Sequence, residues 1–212
     1  MGITIFASGK IDRIGDIPGL IDEVKCVAQE NNWAFHVIDE DFAVKPDAAI
    51  APRESGVPVC RIEGSAGLKG IILNIDPKSE PFFLLFDKSG VLTDLMRQVP
   101  WIESNGQDER LTACKTQFGK IDSHIRIIEL LDRLKKKYIT DLAVTDEGAY
   151  WESRDPRILA EKRVELGHYL RHTERVISSI ETSDDDARDP ETLASRIEEA
   201  LLKEEEDDGL PR

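Results

Sequence analysis

The sequence predicts an α+β fold: a mainly antiparallel central sheet built around a meander over residues 68–95, packed by helices, with a helical C-terminal part and an acidic tail. Three observations carry this expectation. The run Phe82-Phe83-Leu84-Leu85-Phe86 is apolar at every position, whereas a strand with one wet face alternates, so both of its faces should be covered. It is flanked by short turns, Asp76-Pro77-Lys78-Ser79 and Lys88-Ser89-Gly90, and short turns join antiparallel neighbours. Finally, Phe118, Ile121, Ile125, Ile128, Leu131 and Leu134 recur at helical spacing and mark one stripe of a long helix over 116–138.

Taken in order, Ile3 to Ala7 are β-branched and apolar enough for a first strand, and Ser8-Gly9-Lys10 turns out of it. Pro18 suits a first helical turn, Leu20, Ile21, Val24 and Val27-Ala28 continue at helical period, and Asn31-Asn32 ends the run. A second strand follows from Trp33 to Ile38. From Asp39 to Gly67 prolines, glycines and acids predict a long connection that carries one short strand, Val57 to Ile62. Beyond the meander, 97–115 is polar with a turn at Asn105-Gly106 and reads as a surface excursion.

After the long helix, Leu142 to Val144 and Ala149 to Trp151 flank Asp146-Glu147-Gly148, the pattern of a hairpin. Asp155-Pro156, an N-cap followed by proline, opens a helix toward Ile180. Ser183 to Asp186 breaks it, Asp189-Pro190 can start another helix through Leu193, Ile197 and Leu201, and Glu204 to Asp208 should fray. The expected organisation is one α+β domain over 1–180 and an acidic extension over 181–212.

The net charge of −14 is concentrated at one end. Residues 181–212 hold 13 acidic and 4 basic side chains, and the first 180 hold 29 and 24. Nucleic-acid affinity comes from Lys and Arg displacing counterions, so this balance argues against a nucleic-acid partner. No apolar run approaches membrane-spanning length, and the opening residues lack the basic and apolar regions of a signal peptide. Three widely spaced cysteines, Cys26, Cys60 and Cys114, form neither a zinc ribbon nor a C-x-x-C pair and read as reduced, buried thiols. The expected location is the cytoplasm, and no cofactor is predicted.

Local catalytic patterns fail when tested. A phosphate-binding loop at Ser8-Gly9-Lys10 would need glycine at Thr4 and a hydroxyl at Ile11. A nucleophile elbow at Gly64-Ser65-Ala66-Gly67 would need glycine at Glu63. Glu165, His168 and His172 share a helix face and are metal candidates, yet the sequence has no second Glu-x-x-His element, and a solvated face explains them as well. Asp146, Glu147, Tyr150, Trp151 and Glu152 bring three carboxylates and two amphipathic aromatics into seven residues, so they are candidates to bind a ligand. The plainer account of that segment is a turn with packed aromatics. His124 lies among apolar neighbours and suits either a general base or a hydrogen-bonded core residue.

Two functions are therefore expected in competition. The first is a non-catalytic binding or regulatory protein, a homodimer, whose acidic surface or tail meets a basic protein partner. The second is an enzyme or small-molecule-binding protein that uses scattered carboxylates and His124, with a pocket near 146–152.

Overall fold

The computed structural model describes residues 2–52, 60–95, 111–179, 191 and 194–198. The chain divides into two compact units, one over residues 2–160 and a second that begins at Glu161. In the first unit the strands are β1 (Thr4–Ser8), β2 (Ala34–Asp39), β3 (Ala49–Pro52), β4 (Cys60–Glu63), β5 (Lys69–Asn74), β6 (Phe82–Phe86), β7 (Leu92–Thr93), β8 (Thr112–Lys115) and β9 (Ala143–Asp146). The helices are α1 (Ile17–Glu30), α2 (Ile121–Lys137), α3 (Tyr150–Ser153) and α4 (Pro156–Ser179), the last of which continues into the second unit.

All strand pairing is antiparallel, in the orders β8-β1-β9, β2-β5-β6-β7 and β3-β4, so the fold is α+β as the sequence predicts. Past the end of β1, a bridge between Lys10 and Val91, with Leu92 N–H donating to Gly9 O at 2.9 Å, ties the three- and four-stranded sheets together.

β6 has a strand on each edge and cover on each face. Register sets Ile71 opposite Leu84 and Leu73 opposite Phe82, which puts these four with Phe86 on one face, and all five are 0 % exposed. On the other face Leu85 joins Ala48, Ala66 and Leu68, with Ile38, Ile72, Phe83 and Leu95 packed around them. The chain thus shields the strand itself. α1 lies against β2 and β5 through the apolar stripe Leu20, Ile21, Val24, Val27 and Ala28. It ends where Asn31 Nδ2 donates to Val27 O at 2.8 Å.

Three expectations change. The stretch expected to be a surface excursion contains β8, whose Thr112 and Cys114 are buried against β1 and β6; residues 96–110 lie outside the described residues. α2 buries Ser123, His124, Ile127, Ile128, Leu130, Leu131 and Leu134, so its inner face is rotated from the expected stripe. Ile125 sits at its margin, and Phe118 precedes the helix and is 59 % exposed. No hairpin closes at 142–151: β9 pairs with β1, and Tyr150 starts α3 where a returning strand was expected.

Of the strand expected at Val57 to Ile62, 57–59 lie outside the described residues, and Cys60–Glu63 form β4 opposite β3. In the second unit α4 continues to Ser179, while 191 and 194–198 are helical. Ser183 to Asp186 and Glu204 to Asp208 fall outside the described residues. Among the described residues no helix is long and apolar enough to cross a membrane.

Candidate functional site

Three polar residues from three elements meet inside the first unit. His124 lies on the buried face of α2, Asp146 ends β9, and Thr116 follows β8. His124 Nε2 stands 3.1 Å from both oxygens of Asp146, and His124 Nδ1 lies 2.7 Å from Thr116 Oγ1. An ionised carboxylate only accepts, so the Nε2 proton points at Asp146. Nδ1 then accepts from the Thr116 hydroxyl, a closer partner than Ile3 O at 3.3 Å.

Asp146 has further donors. Its Oδ1 accepts the Gly148 N–H at 2.7 Å, and Oδ2 accepts those of Tyr150 at 2.7 Å and Trp151 at 2.9 Å. These bonds explain why the chain turns into α3 here: the carboxylate satisfies the first N–H groups of a helical turn, which have no intrahelical partner. Ala149 completes the turn in the left-handed region, with φ of 57°. Gly148 is required by space, because a Cβ there would stand 2.6 Å from Leu159 Cδ1 and 3.1 Å from His124 Cε1. Burial works against the charge on Asp146, but the hydrogen bonds from His124 and from backbone N–H groups outweigh it and hold the carboxyl below the ordinary aspartate range.

A second carboxylate does similar work at the start of α2. Asp76 Oδ2 accepts the Lys120 N–H at 3.0 Å and the Ser123 hydroxyl at 3.1 Å, while Oδ1 accepts the Lys78 N–H at 2.9 Å. Those backbone donors lower its pKa too. Both ends of the His124 network are therefore anchored, one by the cap on α2 and one by the cap on α3.

A hydroxyl, an imidazole and a carboxylate in series have the connectivity of a nucleophile, its base and an orienting group. Access decides what they can do here. Thr116 and His124 are each 1 % exposed and Asp146 is 6 % exposed, so in this conformation no substrate atom can approach the hydroxyl. Thr116 N–H also donates to Ile3 O at 2.9 Å, locking it to the start of β1. As folded, the arrangement joins β1, β8, β9, α2 and α3 through buried hydrogen bonds.

The remaining sequence candidates separate. Glu147 Oε2 accepts the Thr4 N–H at 2.8 Å, and Tyr150 is buried. Trp151 is half-buried with the Arg154 guanidinium 4.5 Å and the Lys135 ammonium 5.8 Å from its ring centre, while Glu152 is exposed. On α4, Glu165 accepts from Lys162 Nζ at 2.9 Å, His168 is exposed and His172 half-buried. Among the described residues no three His, Cys, Asp or Glu side chains converge on a metal position.

An open cavity lies elsewhere in the first unit. A cleft of about 380 Å³ is lined by Phe42, Val44, Lys45 and Pro46, by Ala66 and Gly67, and by the 87–89 turn. No motif marked it, because its walls come from three separate segments. The available signals were Pro46, Gly67 and Lys88-Ser89-Gly90, which sequence reasoning treats only as turn residues. Comparison with protein-family models, curated proteins and solved structures finds no match to this chain.

Proposed function

We propose that this chain is a non-catalytic binding protein whose acidic C-terminal segment engages a basic protein partner. The observation that carries the reading is the charge distribution: 13 acidic against 4 basic side chains in residues 181–212, beside 29 against 24 in the preceding 180. A segment of that composition raises the local concentration of cationic partners and repels phosphate backbones. Burial of the Thr116, His124 and Asp146 side chains supports it further, since the residues best suited to proton transfer are enclosed.

The reading includes self-association, for which the exposed Val164, Tyr169, Leu170 and Ile177 of α4 offer apolar surface. It also places the protein in the cytoplasm. Cys26 and Cys114 are free thiols, Cys26 exposed where a buried thiol was expected and Cys114 buried; burial, with the Glu80 charge beside it, pushes Cys114 up to about 12, which suits an unreactive thiol in a reducing compartment.

Partners captured from native lysate by the full chain and by a chain ending at residue 180 provide the test. The full chain should retain basic proteins that elute with salt, and the shortened chain should lose them. Identical partner sets would remove the role given to the acidic segment. Sedimentation velocity that finds only monomer across the accessible concentration range would remove self-association.

A further inference from the structure

We propose that the cleft between residues 42–46, residues 66–67 and the 87–89 turn binds a small organic anion with a flat apolar body, its acid group held by Lys45 and Lys88. In a chain with 42 acidic residues, Lys25 pairs with Asp22, Lys69 with Asp39, Lys137 with Glu23 and Lys162 with Glu165, whereas other lysines, Lys45 and Lys88 among them, make no ion pair with a described carboxylate. Lys45 and Lys88 line one cleft, and among the described residues neither has a carboxylate within ion-pair distance.

Carboxylates near the cleft are directed at backbone. Glu40 Oε2 accepts the Leu68 N–H at 2.8 Å and its Oε1 the Ala66 N–H at 3.3 Å. Asp47 Oδ1 accepts the Ser65 N–H at 2.7 Å, and Asp41 Oδ1 accepts that of Ala43 at 2.9 Å. Asp87, the one acid among the described residues that line the cleft, uses Oδ1 to accept the N–H groups of Ser89 and Val91 at 2.7 and 3.0 Å. The lining acid is thus built into the turn that presents Lys88, and the lining cations outnumber it.

These bonds also make the cleft preformed. Glu40 and Asp47 clamp the two ends of the 40–47 loop to the segment 65–68, reinforced where Asp47 and Ala48 N–H groups both donate to Ser65 O at 2.9 Å. Gly67 holds a φ of +69°, and a Cβ there would come within 2.7 Å of Pro46 Cγ, so a backbone without a side chain meets the proline ring at the cleft wall. A site that needs no ordering on binding loses less affinity to entropy.

Size and lining set the ligand class. The volume of about 380 Å³ falls in the range of small-molecule sites and is too small for a folded partner. Phe42, Val44, Pro46 and Ala66 provide apolar and ring surface, which suits a flat or aliphatic body, while two ammonium groups suit a carboxylate, sulfonate or phosphate.

The test uses the full chain with naphthalene-2-sulfonate and its neutral counterpart 2-naphthol, followed through backbone amide shifts. The sulfonate should give saturable shifts confined to 40–48, 65–69 and 87–91, with a Kd of about 1 mM or tighter. 2-Naphthol should bind at least about tenfold more weakly, and so should the sulfonate to the Lys45→Gln/Lys88→Gln protein, whose spectrum elsewhere should be unchanged. Absence of saturable shifts, equal binding of the two probes, wild-type affinity in the double variant, or shifts that map to another surface would each overturn the assignment.

Discussion

The Thr116–His124–Asp146 network and the Phe42–Pro46 cleft use comparable polar groups, but they satisfy them in opposite ways. In the network, Asp146 collects the N–H groups of Gly148, Tyr150 and Trp151 as well as that of His124, and both imidazole nitrogens have partners. At the cleft the carboxylates are taken up by backbone donors, whereas the ammonium groups of Lys45 and Lys88 are not. The contrast shows that residue type alone is a poor guide to chemistry. A His and an Asp in one core can be internal fasteners, while two ordinary lysines on loops meet no carboxylate among the described residues.

The comparison breaks most visibly if Asp146 is removed. Asp146→Ala would leave buried N–H donors of Gly148, Tyr150 and His124 without an acceptor, and losing one partner from such a network costs about 3–5 kcal/mol. A large fall in the urea midpoint is expected, with α3 amides losing hydrogen-exchange protection first. A variant as stable as the wild type would show that the network holds nothing together.

Thr116→Val tests the other end more gently. The swap keeps the shape of the side chain but leaves His124 Nδ1 without its donor, at a cost of about 1–3 kcal/mol. Chemical denaturation measures it. A cost near that of Asp146→Ala would mean that the two ends act as one cooperative unit.

Much of this frame is legible in the residues, for identifiable reasons. The unbroken run Phe82 to Phe86 forces cover on both faces, and the Pro18, Leu20, Val24, Val27 series fixes α1 by period and by its ends. β8 escapes because Thr-Ala-Cys-Lys is too short and too mixed to signal a strand, and it exists through its pairing with β1. The phase of α2 is misread because His124, counted as polar, sits in the middle of the buried face. α3 replaces a hairpin because three N–H groups find the carboxylate of Asp146, a tertiary fact beneath a turn-like composition. The pairing of His124 with Asp146 across 22 positions depends on β9 lying beside β1, which no local pattern encodes.

Acid sharpens the same contrast. Asp146 and Asp76 both have folded pKa values held below the ordinary 3.8, so their contribution to stability is complete above that value and is lost as pH falls through the folded pKa. The wild type should therefore lose stability steeply below about pH 4. Asp76→Ala, which uncaps α2, should cost about 1 kcal/mol at neutral pH and flatten that loss. Urea midpoints across the acid range check it, and an unchanged slope would place the acid sensitivity elsewhere.

Substitution at the cleft should produce the smallest change in stability and for that reason separates the two regions most cleanly. Lys45 and Lys88 are exposed and make no ion pair among the described residues, so the Lys45→Gln/Lys88→Gln protein should match the wild-type urea midpoint within about 0.5 kcal/mol. In a protein with net charge −14, removing two cations adds only a little self-repulsion, and raising the salt concentration should remove even that. A substantial loss of stability would mean that these lysines fasten the fold as Asp146 does. An unchanged midpoint leaves their bonding capacity directed away from the chain, the condition a binding residue has to meet.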